Sequence, residues 1–175
     1  MAAIIETIYR YDSLISYRLG DMRSHRWFSA LMIVSSKLGD GSLWLFLGIL
    51  FIVFGGELGR KAVLIALLSV ALCIAIFKAV KNTTTRKRPF EKYTDMELIL
   101  PPPDEYSFPS GHAMNAFAIA TAAAYFFPLL FLPLFTAASL IAVSRVFLAL
   151  HYPTDVIAGA MIGVIISGVL IFLTG

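Results

Sequence analysis

Charged residues are scarce in this sequence. Only 14% of its 175 residues are charged, whereas 59% are hydrophobic, and the mean hydropathy is +0.83. A soluble domain carries about 25% charged residues, so this composition excludes an ordinary soluble globular protein and predicts one compact membrane bundle.

Two other features are rare or missing. Cysteine occurs once, as Cys73 inside an apolar run, so no disulfide can form within the chain. The first twenty residues contain charged side chains and no uninterrupted apolar core, which argues against a cleavable signal peptide there.

The first forty residues mix apolar and basic positions. In residues 1–26 four arginines alternate with isoleucine and leucine, a pattern that favours an amphipathic helix at headgroup level. Residues 27–37 favour a short interfacial helix, and a Gly-Asp-Gly turn at 39–41 predicts its end. We therefore expect an interfacial N-terminal segment, residues 1–40, followed by a transmembrane domain, residues 41–175.

Five apolar runs are suited to a bilayer, although the first is shorter than the roughly 20 residues that a span needs. They cover residues 42–54, 62–80 and 112–127, a fourth run that ends near residue 150, and residues 154–173. The sequence thus predicts an all-α fold, a polytopic membrane helical bundle with about five to six transmembrane helices. In the last run Gly159, Gly163 and Ser167 recur every four residues, which favours close helix packing.

Three polar clusters interrupt these runs, at residues 81–89, 109–112 and 144–155. Counting crossings from one run to the next brings all three clusters to the same side of the membrane. Ionisable residues beside membrane spans are costly and usually functional, so we expect them to form one site.

Residues 109–112, Pro-Ser-Gly-His, begin the third apolar run. Free backbone N–H groups at a helix start attract anions, Gly111 permits a close approach, and Ser110 adds a donor. His112, in the first turn, could supply a proton. The alternative is a plain helix cap with an incidental histidine.

Basic residues crowd the cluster at residues 81–89, Lys-Asn-Thr-Thr-Thr-Arg-Lys-Arg-Pro. Cations beside a span usually anchor it to headgroups, and we apply this interpretation to Lys78, Arg86, Lys87 and Lys92. An arginine side chain can also hold two phosphate oxygens at once.

The third cluster combines Arg145, His151 and Asp155. Pro153 disfavours helix at the preceding residue, so His151 is expected in a turn and Asp155 in the first turn of the next helix. Asp155 could hold one ring nitrogen of His151 and leave the other free to attack, while Arg145 neutralises developing charge. A purely structural hydrogen bond between His151 and Asp155 is the alternative.

Together, the cations, the histidines and the helix start are complementary to a phosphate ester. The side chains supply the positive charge that a phosphoryl group needs, so no metal or other cofactor is expected. The sequence lacks a carboxylate-rich cluster for magnesium, and the two histidines lack the spacing of zinc ligands.

The three clusters carry a resemblance to the type 2 phosphatidic acid phosphatase (PAP2) superfamily of membrane lipid phosphatases. The family motifs Lys-x6-Arg-Pro, Pro-Ser-Gly-His and Ser-Arg-x5-His-x3-Asp match residues 81–89, 109–112 and 144–155 without substitution. The resemblance covers roughly residues 27–173. Larger bacterial members often have six spans, and here the amphipathic segment stands in place of the first.

The resemblance implies a two-step hydrolysis of a phosphomonoester or diphosphate. His151 would attack phosphorus and form a phosphohistidine, with Asp155 orienting it. His112 would protonate the leaving oxygen and later activate water. The phosphate oxygens would be held by Lys81, Arg88, Ser110, the Gly111 backbone and Arg145.

The implied substrate is an amphiphile in the bilayer. Lipid A 1-phosphate or undecaprenyl diphosphate is favoured, and phosphatidylglycerophosphate or phosphatidic acid is the alternative. No nucleic acid and no obligate protein partner are expected.

The resemblance implies a multi-pass protein of the cell (inner) membrane, with its active site on the periplasmic or extracytoplasmic face. The positive-inside rule favours the opposite face, because eleven of the fourteen Lys and Arg residues fall on the side of the site. Phosphate binding accounts for several of these charges.

Two other functions remain open. A non-catalytic lipid-binding or transport protein could use the same basic pocket, although it would not need two histidines and an orienting aspartate. A vanadate-dependent haloperoxidase shares the site chemistry, but those proteins are soluble and larger.

Overall fold

The structure is a computed structural model that describes residues 2–93, 98–102 and 104–174. Residues 94–97 and 103, part of the predicted polar connection, lie outside the described residues, as does residue 175. Within the described ranges all regular structure is helical. The helices are α1 (Ala2–Asp21), α2 (Arg26–Lys37), α3 (Leu43–Phe54), α4 (Gly56–Thr84), α5 (Pro89–Lys92), α6 (Gly111–Phe126), α7 (Phe131–Phe147) and α8 (Pro153–Thr174).

Four of the described helical segments are long and apolar enough to cross a bilayer: Arg26–Phe54, Gly56–Lys92, Pro128–Phe147 and Pro153–Thr174. The 16-residue α6 is shorter and lies in the middle of the bundle, packed against α4, α7 and α8. The predicted all-α membrane bundle is confirmed. The second to fifth predicted spans correspond to α4, α6, α7 and α8.

The predicted break at residues 39–41 is confirmed as a kink between two helices. A π-helical turn, Leu38–Ser42, links α2 to α3, and within it Gly41 has a non-helical backbone with φ of 129°. The two helices together form an apolar segment of 29 residues, long enough to cross a bilayer. A Cβ at Gly39 would lie 2.6 Å from Cγ2 of Ile141, so glycine allows the turn to pack against α7. The boundary at residue 40 between an interfacial segment and a transmembrane domain stays a prediction.

Small residues bring α6 and α8 together. A Cβ at Gly159 would lie 2.5 Å from the carbonyl oxygen of Ser110, and one at Gly163 would lie 2.2 Å from that of Met114. This confirms the predicted packing face of α8. The close approach places the starts of the two helices side by side, and the Ser110 N–H donates to the carbonyl oxygen of Asp155 at 3.1 Å.

Helix α1 contacts α7 and α8 at the end of the bundle where the three clusters meet. Its buried side chains are polar, Asp12 and Ser16, whereas Ile8, Leu14 and Ile15 are exposed. A helix at a membrane surface is expected to present its apolar residues to lipid, and the interfacial position of α1 stays a prediction.

Candidate functional site

Two of the predicted clusters line a cavity of about 390 Å³, and the third is connected to it by Lys81 and Arg88, which pair with the lining residue Asp104. Gly111 and His112 reach it from the start of α6, and His151 from the turn before α8. The other lining residues are Gly39, Asp40, Ile74, Phe77, Lys78, Asp104 and Asn115. Both predicted histidines thus face one space that can hold a phosphate group.

His151 lies in the short turn between α7 and α8 and is 2% exposed. Its Nδ1 atom is 2.5 Å from the carbonyl oxygen of Ser107. A carbonyl oxygen can only accept a hydrogen bond, so Nδ1 carries the proton and Nε2 carries the lone pair. Nε2 lies 3.5 Å from Nη1 of Arg88, on the side of the predicted phosphate-binding cations.

Asp155 contacts His151 less directly than the sequence suggested. Its Oδ2 atom is 3.8 Å from Nδ1, beyond hydrogen-bond distance. Oδ2 instead accepts hydrogen bonds from the Tyr152 N–H, at 2.8 Å, and from the Ser107 hydroxyl. Asp155 therefore fixes two residues that flank the imidazole. Sequence reasoning missed Ser107, because it belongs to none of the motifs.

The surroundings of His151 favour the neutral ring. Burial lowers the pKa of His151 to about 4, and the positive charges of Arg88 and Arg145 act in the same direction, while Asp155 opposes them. At neutral pH the ring is therefore unprotonated at Nε2, which is the state that a nucleophile requires.

Lys81 and Arg88 converge on the carboxylate of Asp104. Both cations are buried, and both pair with its Oδ1 atom, Arg88 at 2.5 Å through Nη2. Burial raises the pKa of Asp104, but Lys81 and Arg88 outweigh this effect and hold the pKa below its ordinary value. A carboxylate of the chain thus lies between the two cations that the resemblance assigns to phosphate. Asp104 was predicted only as part of a loop.

Two further predicted phosphate ligands present unpaired donors. Arg145 is 3% exposed and donates to the Ser36 hydroxyl through Nη1, but its Nε has no hydrogen-bond partner among the described residues. The Ser110 hydroxyl is buried and likewise unpartnered within the described chain, because it does not cap α6. Buried donors without acceptors are costly, and a phosphate oxygen would satisfy them.

His112 has a carboxylate partner that the sequence did not reveal. Its Nε2 atom is 2.7 Å from Oδ1 of Asp40, which belongs to the π-helical turn. Because Asp40 was interpreted as part of a helix end, its pairing with a residue 72 positions away went unnoticed.

Arg86 and Lys78 do not act only as headgroup anchors. Arg86 pairs with Asp155 and, at 2.6 Å, with Asp12 of α1, so the interpretation as an anchor is wrong for this residue. Lys78 lines the cavity. Lys87 and Lys92 are exposed, as the anchor interpretation requires.

Two sequence relatives of this chain are both undecaprenyl-diphosphatases. An undecaprenyl-diphosphatase from Sulfolobus acidocaldarius is 31% identical over 140 residues, which cover 79% of this chain and 67% of that protein. Undecaprenyl-diphosphatase BcrC from Bacillus subtilis is 32% identical over 120 residues, which cover 69% of this chain and 61% of BcrC. The chain therefore spans about two thirds or less of their lengths.

Two crystal structures share the fold. One is a PAP2-type phosphatidylglycerolphosphate phosphatase from Bacillus subtilis, with a TM-score of 0.77, 26% identity, and coverage of 95% of this chain and 86% of that one. The other is Aquifex aeolicus LpxE, with a TM-score of 0.77, 26% identity, and coverage of 90% and 93%. The predictions of a multi-pass membrane protein and of a hydrolase acting on lipid phosphates are confirmed.

The family itself is established by a match over most of the chain. The family model described as the PAP2 superfamily matches residues 62–174, a segment that contains all three motifs and helices α6 to α8. The chain belongs to the PAP2 superfamily.

Proposed function

We propose that this protein removes the terminal phosphate of undecaprenyl diphosphate, or of a closely similar polyprenyl diphosphate, in the membrane. The observation that carries the proposal is the convergence of His112, His151 and the start of α6 on one cavity beside buried cations. The two undecaprenyl-diphosphatases among the sequence relatives favour this lipid over lipid A 1-phosphate. The bilayer and the lipid are the only partners that the proposal needs.

An apolar cavity gives the hydrocarbon part of such a substrate a place. It measures about 380 Å³ and is lined by apolar side chains of α3, α4, α6 and α7, from Trp44 to Ile52 and from Ala62 to Val70 among others. Phe77 lines the polar cavity and Ala62 the apolar one. Fifteen helical residues separate them, about 22 Å along α4. A lipid whose hydrocarbon chain runs along α4 from the polar cavity to the apolar one would keep its phosphate at the histidines.

The first step is attack by Nε2 of His151 on the terminal phosphorus. The new P–N bond forms as the bond to the bridging oxygen breaks, and His112 donates a proton to that oxygen. The lipid monophosphate then leaves. Lys81, Arg88 and Arg145 stabilise the charge on the phosphoryl oxygens, and Ser110 and the Gly111 N–H add hydrogen bonds. Asp104 has to release the two cations when phosphate binds.

In the second step water regenerates the enzyme. His112, now neutral, takes a proton from water while the water oxygen attacks phosphorus and the P–N bond breaks. Inorganic phosphate leaves, and His151 returns to its neutral form.

The experiment is phosphate release by purified protein from a panel of lipids. Undecaprenyl diphosphate, lipid A 1-phosphate, phosphatidylglycerophosphate and phosphatidic acid are compared at equal surface concentration. The proposal expects the highest kcat/KM for undecaprenyl diphosphate. A preference for another lipid of the panel would reject undecaprenyl diphosphate as the substrate but not the phosphatase activity. Absence of phosphate release from every lipid would reject the phosphatase activity itself.

Two controls separate this reaction from its alternatives. The His151→Ala variant should lose turnover yet still bind lipid, whereas unchanged turnover would reject the mechanism. EDTA should leave the rate unchanged, and strong inhibition that an added metal reverses would show that a metal is required.

We place the site on the extracytoplasmic face, as the resemblance implies. Several cations on that side have partners within the protein and so are not free to act as topology signals: Lys78 lines the cavity, Lys81 and Arg88 pair with Asp104, Arg86 pairs with Asp155, and Arg145 donates to Ser36. In a Cys73→Ala background, a membrane-impermeant maleimide applied to intact cells should label Lys87→Cys but not Glu57→Cys. The reverse labelling pattern would place the site in the cytoplasm.

A further inference from the structure

Asp12 is nearly inaccessible although most of the described side chains of α1 are exposed. It is 2% exposed. Its Oδ1 accepts a hydrogen bond from the Thr154 N–H at 3.0 Å, and its Oδ2 accepts from the Thr154 hydroxyl at 2.5 Å and from Nη2 of Arg86 at 2.6 Å. A buried carboxylate with this many donors is costly to leave unpaired and therefore fixes the groups around it.

One of these donors belongs to the start of α8. The first N–H groups of a helix have no partner within the helix, and a negative charge there is favourable. Asp12 thus caps α8 from another helix. The capped turn contains Asp155, which contacts the residues around His151.

Arg86 connects Asp12 to the surroundings of His151 by two routes. Its Nη1 pairs with Oδ1 of Asp155, and its carbonyl oxygen accepts a hydrogen bond from the Ser107 N–H at 2.8 Å. The Ser107 carbonyl is the group that fixes the protonated nitrogen of His151. The Arg86 guanidinium also lies 4.1 Å from the ring centre of Tyr152, the neighbour of His151.

We propose that Asp12 and Arg86 are positioning residues, and that through them helix α1 forms part of the catalytic apparatus. They hold Asp155 and Ser107 in the arrangement that keeps the Nε2 lone pair of His151 directed at phosphorus. This inference rests on the proposed phosphatase reaction. Asp12 lies outside residues 62–174, the segment that matches the family model, so the family motifs do not account for it.

The competing role for α1 is membrane anchoring or lipid binding alone. That role predicts a change in KM, because α1 would hold substrate or bilayer. Positioning predicts a change in kcat, because neither Asp12 nor Arg86 lines the 390 Å³ cavity.

The test compares Asp12→Asn, Arg86→Lys and Asp21→Asn with the wild type, using purified protein and undecaprenyl diphosphate in detergent micelles. Asp21 lies on the same helix, is exposed, and serves as a charge-matched control. Arg86→Lys keeps the positive charge, but the lysine ammonium group cannot bridge the carboxylates of Asp12 and Asp155 as the planar guanidinium group does. We expect kcat to fall about 10²-fold for Arg86→Lys and about tenfold for Asp12→Asn, with KM within about twofold, since small misplacements of reacting groups cost this much.

A double variant completes the design, and the melting temperature of each variant shows whether it folds. Asp12→Asn combined with Arg86→Lys should lower kcat little more than Arg86→Lys alone, because the two residues act through one path. The inference is overturned if both single variants keep the wild-type kcat, if only KM changes, or if Asp21→Asn lowers kcat equally. If Asp12→Asn does not fold, Arg86→Lys decides alone. A wild type that releases no phosphate from any lipid rejects the proposed function instead.

Discussion

The two histidines that face the cavity have opposite surroundings. The side chains of His151 and Asp155 are 2% and 0% exposed, and the carboxylate stands 3.8 Å from the ring. His112 and Asp40 are 15% and 64% exposed, and their side chains are in direct contact at 2.7 Å. One His–Asp pair is enclosed by the protein, and the other opens towards water.

This difference matches two different chemical tasks. A nucleophilic imidazole needs one fixed tautomer and no competing protons, and burial against the Ser107 carbonyl provides both. An acid–base group must regain its proton in every turnover, which an exposed carboxylate such as Asp40 assists by stabilising the protonated ring. The comparison predicts that changes at the two pairs have effects of different size and kind.

The largest loss is expected for His151→Ala. Without the attacking nitrogen no phosphohistidine can form, so kcat should fall about 10⁴-fold or more. His25→Ala is the matched control, since that histidine is exposed and does not line the cavity. Phosphate release and the melting temperature are measured together, and a residual rate within about tenfold of the wild type would remove His151 from the reaction.

His112→Ala should cost less, about 10²- to 10⁴-fold in kcat, the usual contribution of a general acid. The loss should shrink for a lipid phosphate whose leaving group has a low pKa, because such a group departs without a proton. His151→Ala should show no such dependence. Equal losses across leaving groups would mean that His112 does not donate the proton.

The pH dependence of kcat/KM tests whether His151 has the lowered pKa of a buried histidine. A histidine whose folded pKa is lowered stays neutral to lower pH, so the acid limb of kcat/KM that reports His151 should lie near 4 rather than 6.5. At pH 5 about 90% of His151 would then be neutral, against about 3% for an unperturbed ring, roughly a thirtyfold difference. The measurement is kcat/KM from pH 4 to 8, corrected for ionisation of the substrate phosphate. A limb at 6.5 would show that His151 is not buried in the working enzyme.

The sequence predicted the enclosed pair better than the open one. His151 and Asp155 lie four residues apart, so the turn at Pro153 brings them together locally. The partner of His112, Asp40, lies 72 residues away in the π-helical turn, and only the packing of that turn against α7 brings the two side chains together.

The cations show the same limit of sequence reasoning. Arg86 and Arg88 stand in one basic run, yet the first pairs with Asp155 and the second with Asp104. Helix α4 ends at Thr84, and Thr85 has a left-handed backbone with φ of 42°. Helical periodicity therefore cannot predict the directions of the side chains that follow, and only the motif singled out Arg88.

Asp40→Asn tests the open pair directly. An amide cannot stabilise a protonated imidazole as a carboxylate does, so kcat should fall about tenfold, the cost of one hydrogen bond to a charged group. Asp155→Asn should cost more, because it also disturbs Ser107, Tyr152 and Arg86. If Asp40→Asn proved as damaging as Asp155→Asn, the two pairs would not differ as their exposure suggests.

The smallest effect is expected where the π-helical turn meets α6 and α7. A Cβ at Gly39 would lie 2.6 Å from Cγ2 of Ile141 and 3.2 Å from Cδ2 of His112, so Gly39→Ala should shift the turn and misalign Asp40. We expect a loss of a few-fold in kcat, smaller than that of Asp40→Asn because the carboxylate remains. Gly168→Ala, in α8 with open space around its Cβ and outside the lining of both cavities, should have no effect. Adding Ile141→Ala should restore part of the loss, since it removes the nearer obstacle, and failure of that rescue would show that Gly39 does not act through the contact with α7.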